Sequence, residues 1–116
     1  MTVKIYGIKN CNSMKKAFDW LDENGVAYDF HDYKKQGADV EILRQAMGEH
    51  DWETVINRKG MTWRNLPDIA KEHMDEENAI KAACDNPSLI KRPLIVANKQ
   101  TFLGYDEDTF AQNLKN

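Results

Sequence analysis

A chain of 116 residues with 41% apolar content fits one compact domain, since a single core typically serves about 100 to 150 residues. Its 16 basic residues are dispersed among 19 acidic ones for a net charge of −3, which leaves no basic stripe for a phosphate backbone and argues against direct nucleic-acid binding. No apolar run approaches the ~20 residues that cross a bilayer, no basic leader precedes the first strand pattern, and two cysteines are too few for a disulfide framework, so a non-membrane protein of the reducing cytoplasm is expected.

Val3, Ile5 and Tyr6 form a short β-branched and aromatic run that stops at Gly7 and predicts a first strand. From Asn12 onward Met14, Ala17, Phe18 and Leu21 recur at helical spacing, and Asn24-Gly25 supplies the stop, whereas Trp20 falls off the main stripe. Val26, Tyr28 and Phe30 then alternate with Ala27, Asp29 and His31, predicting a second strand parallel to the first and hence a βαβ unit.

The chain changes character from about Lys34 to Asp85. It is charged, poor in strand signals and punctuated by Gly37, Gly48, Gly60 and Pro67, which predicts a helical insertion. VEILRQAM is its clearest helix, Trp52, Val55 and Ile56 make a second apolar cluster, and PDIAKEHMDEENAIKAACD reads as one or two helices ending before Asn86-Pro87. Strand patterns return with LIVA, an Asn98-Lys99 turn and QTFLG, followed by a terminal helix capped by Asp106. The expected fold is therefore α/β, with a core of residues 1–33 and 86–116 and an insertion at about 34–85. His31, His50 and His73 have no ligand spacing, so no metal site is expected.

On this scaffold Cys11 falls between the first strand and the first helix. Unpaired amides and the positive end of the helix dipole favour an anion there, and Lys9 adds a cation two residues back. Thiolate is the reactive form of cysteine, and Asn10, Asn12 and Ser13 crowd the same turn with hydrogen-bonding capacity. A core cysteine would sit within an apolar run, but this one is flanked by asparagines. Cys84, in IKAAC, reads instead as plain packing on the apolar side of a helix. Because Met14 stands three residues after Cys11, no local disulfide can close, and an oxidised Cys11 needs an outside thiol such as glutathione or, as a lesser route, Cys84. Pro93 precedes LIVA at a position a strand tolerates, which puts Arg92 at the end of the core sheet.

Taken in order, GIKNCNSMKKAFDWL, FHDYKKQG, INRKGMTWRNL, SLIKRPLIV and FLGYDED resemble the arsenate reductase family nearly end to end, with the YffB-type reductase group as the nearest match. That family also contains the Spx-type regulators of RNA polymerase. The resemblance implies a thioredoxin-like, glutaredoxin-type core with an inserted helical subdomain, and a cis peptide before Pro93. It further implies that Cys11 is the nucleophile, that Arg92 holds its thiolate or a bound oxyanion, and that Arg58 reaches in from the insertion.

Two departures bear on function. Arsenate reductases carry a further arginine in the segment matching Thr101 to Tyr105, which here is TFLGY, and many Spx-type regulators carry a second cysteine where this chain has Met14. The resulting expectation is a thiol-dependent reductase, monomeric, with glutathione as co-substrate and no tightly bound cofactor. Glutaredoxin is a further candidate partner. The alternatives are a regulator docking on the C-terminal domain of RNA polymerase α and, third, an arsenate reductase.

Overall fold

The structure is a computed structural model, and it describes residues 2–115. Strand β1 (Thr2–Gly7) sends Val3 and Ile5, both fully buried, into the main core, while Tyr6 turns to the other face and its ring lies 4.8 Å from that of His31. Helix α1 (Asn12–Glu23) buries Met14, Ala17, Trp20 and Leu21 and stops at Asn24, whose side-chain amide donates to the Trp20 carbonyl, before Gly25 turns the chain at φ +65°. Strand β2 (Ala27–Asp32) then runs parallel to β1 with Phe30 opposite Ile5. The predicted βαβ unit is present.

The sheet is completed from the far end of the chain. Strand β3 (Leu94–Ala97) pairs antiparallel with β1, and β4 (Gln100–Leu103) pairs antiparallel with β3, giving the order β2-β1-β3-β4. Asn98 and Lys99 make the hairpin turn at φ 52° and 64°, the left-handed pair that suits a two-residue connection. The terminal helix, Glu107–Asn113, is capped by Asp106, whose carboxylate accepts from the amides of Asp108 and Thr109. Trp20, which falls off the main stripe of α1, is a flank of the core. It is only 6% exposed, because Phe110 of this last helix covers it with an edge-on contact of 5.3 Å.

The described chain groups into two compact units: one takes the chain up to Gln36 and from Arg92 onward, and the other is Gly37–Lys91. Against the expected 34–85, this unit starts three residues later, at Gly37, and ends six residues later, at Lys91. The short helix α2 (Tyr33–Gln36) stays with β2, and Lys91 stays with the insertion by donating its amide to the Val55 carbonyl at 2.8 Å.

Within the second unit α3 (Val40–Glu49), α4 (Trp52–Val55), α5 (Met61–Arg64), α6 (Asp68–Glu72) and α7 (Glu76–Asp85) lead into a 3-10 turn at Pro87–Leu89. Leu43, Ala46, Met47, Val55, Ile56, Ala79, Ile80, Ala83, Leu89 and Ile90 are its buried apolar residues. PDIAKEHMDEENAIKAACD forms two helices, because the Asp75 carboxylate accepts from the Asn78 amide and starts a new one. Cys84 is a correction to the sequence reading, being exposed. The buried face of α7 centres on Ala79, Ile80 and Ala83, and at 100° per residue Cys84 lies roughly 90° round from that centre.

Candidate active site

Cys11 is the residue that ends the loop after β1 and caps α1, with an extended backbone at φ −144° and ψ 134°. Its carbonyl accepts from the Lys15 amide at 2.9 Å, the first hydrogen bond of the helix, so the thiol stands over the unpaired amides of the first turn. What holds the loop down is Met14. It is fully buried, and a side-chain carbon added at Gly7 would collide with its thioether, so glycine at the strand end and methionine in the first turn occupy complementary space. The position where a redox pair would need its second sulfur is thus filled by a core side chain.

Partial burial pushes the Cys11 thiol up. The backbone N–H of Met14, the Arg92 guanidinium and the backbone N–H of Ser13 together outweigh that burial, and the net displacement is down, toward thiolate. Arg92 is half-buried and belongs to the same compact unit, where β3 delivers it beside the cysteine loop from the other end of the chain. The peptide between Arg92 and Pro93 is cis, and the Pro93 carbonyl accepts from the Gly104 amide at 2.8 Å.

An open cleft of about 430 Å³ is lined by Lys9, Asn10, Cys11, Asn12, Lys15, Phe18 and Asp19. Lys9 lies exposed on its rim, and the cation that acts on the thiol is Arg92. Asn10 and Asn12 line the cleft, and Ser13 contributes its amide rather than its hydroxyl. Arg58 lies in the second unit, exposed, with Nη2 3.5 Å from Glu53 and its guanidinium 5.8 Å above the Trp52 ring. Sequence reasoning passed over Lys15 and Asp19 as site residues and treated Phe18 only as core. Their signal was the helical offset from Cys11 of four, seven and eight positions, which puts all of them on the cysteine's side of α1. Among the described residues no group of three histidines, cysteines or carboxylates is placed to hold a metal ion.

A mixed four-stranded sheet with a thiol at the start of its first helix and a cis-proline before its third strand defines a thioredoxin-like protein. The ArsC family profile matches residues 6–113, and the chain belongs to that family. A solved protein named YFFB is 48% identical and superposes with a TM-score of 0.93 over 97% of this chain and 98% of its own. An arsenate reductase related protein from Brucella melitensis is 39% identical with a TM-score of 0.76, over 97% of this chain and 93% of its own. The global transcriptional regulator Spx of Staphylococcus aureus is 26% identical across 91% of this chain and 82% of its own. No described helix is long and apolar enough to cross a membrane.

Proposed function

We propose that the protein is a thiol-dependent oxidoreductase with Cys11 as its one nucleophile and glutathione as the resolving thiol. The observation that carries this reading is a cysteine displaced toward thiolate by two helix amides and the Arg92 guanidinium at the mouth of an open cleft. The Cys11 thiolate attacks one sulfur of a disulfide R–S–S–R. The S–S bond breaks, a Cys11–S–S–R bond forms, and RS⁻ departs. A glutathione thiolate then attacks the retained R sulfur and expels Cys11 as thiolate. A second glutathione splits the released mixed disulfide into RS⁻ and oxidised glutathione.

Arg92 acts twice in this sequence, because the same guanidinium that favours the attacking thiolate favours it again as leaving group. Met14 explains why a small thiol is needed: with no sulfur three residues on, Cys11 has no local partner to expel the substrate. Cys11→Ser should lower disulfide turnover with glutathione about a thousandfold, while Cys84→Ser should leave it near wild type. Equal rates for Cys11→Ser and wild type would end this reading.

A second reading, a regulator that docks on RNA polymerase, is favoured by the 26% identity to Spx over most of the chain. If the Cys11→Ser protein recovered the C-terminal domain of polymerase α at micromolar concentration, that reading would gain support, and no recovery would count against it. Arsenate reduction ranks third, since TFLGY offers no arginine to an oxyanion. Failure to rescue an arsenate-sensitive cell would remove it.

A further inference from the structure

The mechanism above leaves the cleft beyond the sulfur without a task. Lys15, Phe18 and Asp19 follow Cys11 on one strip of α1, and at 1.5 Å of rise per residue Lys15 lies about 6 Å and Asp19 about 12 Å along the axis from it. Phe18 gives the cleft an apolar surface. Its ring is backed by Tyr28 at 5.4 Å and, edge-on, by Phe30 at 5.1 Å. Along the helix the strip is therefore ordered by sign: Lys15 comes in the first turn after Cys11, the Phe18 ring follows, and Asp19 comes last, with Lys9 of the preceding loop on the same cleft.

A solvated helix face would show the same residue types, but it would not be concave, would not share a cavity with a thiol, and would not have a half-buried ring as its floor. We propose that this strip selects the substrate: it binds disulfides whose thiol half carries a carboxylate close to the sulfur, with Lys15 on the carboxylate and Phe18 under the carbon chain. Asp19 disfavours a second anion at the distal end. This inference rests on the reductase reading and supplies its substrate class. The step it governs is the first one, in which the Cys11–sulfur bond forms and the substrate S–S bond breaks with departure of a thiolate.

The test measures formation of the mixed disulfide on Cys11 by intact mass, in a Cys84→Ser background at low ionic strength. The probes are dithiodiglycolate, which is anionic, cystamine, which is cationic, and neutral hydroxyethyl disulfide. Lys15→Glu should lower the anionic-to-cationic rate ratio about tenfold, since a charge reversal at this range is only partly screened. Lys16→Glu makes the same change of net charge at the next residue, which faces a neighbouring groove with Trp20 and Glu23 that shares Asp19 alone with the cleft, and should move the ratio less than about twofold. Equal shifts in the two variants, or none at Lys15, would overturn the cleft assignment while leaving the reductase intact. If wild type forms no adduct with hydroxyethyl disulfide, the reductase reading itself fails and the substrate class falls with it.

Discussion

The sheet unit and the helical unit of this chain reach order by different routes. In the first, β1 is hydrogen-bonded on both edges, by β2 and β3, and α1 lays Met14, Ala17 and Leu21 on it with no exposed surface. The cysteine loop joins those two buried elements directly, so its geometry is set from both ends. In Gly37–Lys91 no helix exceeds ten residues, and pieces shorter than about 12 residues are marginal in water on their own. Their order comes from packing and from one clasp. Ile56 bridges Ile90, the Asn57 amide donates to Leu89 at 2.7 Å, and the Lys91 amide donates to Val55. A forked contact between Arg44 and Glu77 links α3 to α7, but both side chains are exposed and little stability follows from it. The contrast teaches that the unit carrying the Cys11 thiol is built on a continuous ladder, while the inserted unit depends on a few buried contacts.

That comparison can be broken at its weakest joint. Ile90 is fully buried at the clasp, so Ile90→Ala should cost about 3 kcal/mol, and hydrogen exchange at the Asn57 and Lys91 amides should accelerate accordingly. Unchanged protection there would show that the helices hold without the clasp. A smaller effect is expected in the sheet unit from overpacking. Gly7→Ala drives a methyl group into the Met14 thioether and should cost about 2 kcal/mol by denaturant unfolding, with part of the loss recovered in the Gly7→Ala, Met14→Ala double variant. Strict additivity of the two substitutions would mean that the glycine and the methionine do not share the space.

The smallest effect sharpens the site itself. Arg92→Ala should raise the titration of the Cys11 thiol and slow its alkylation near neutral pH about tenfold. The sign follows from the folded thiol lying below its unfolded value. Stability linked to this group is complete above the unfolded value and is lost as pH falls through the folded one. Removing the guanidinium brings the two values together, narrows that window, and moves the alkylation midpoint upward. A midpoint that does not move would assign the displacement to the helix amides alone.

Much of this was legible in the chain because it is written in local periodicity and turn chemistry. The Val3–Ile5 run, the Met14–Ala17–Leu21 stripe, the Asn98-Lys99 turn and the Asp106 cap each state their own conformation, and a cysteine before a helix start is chemically marked wherever the helix goes. Cys84 was misread, and Trp20 stood open between a contact and a flank of the core, for the opposite reason, since whether a flank position is covered depends on what arrives from elsewhere. Phe110 covers Trp20, and Cys84 is left exposed.

The sequence by itself determined the elements, their order and the thiol at the head of α1. Only the tertiary structure put the Arg92 guanidinium, which the resemblance alone had assigned to the thiol, within hydrogen-bond reach of Cys11, set the Met14 thioether against Gly7, and made the offset from Cys11 to Lys15, Phe18 and Asp19 a cleft rather than a plain helix face. The physical reason is that pairing β3 with β1 brings together residues far apart in the chain, and no local propensity encodes which partner a strand will meet.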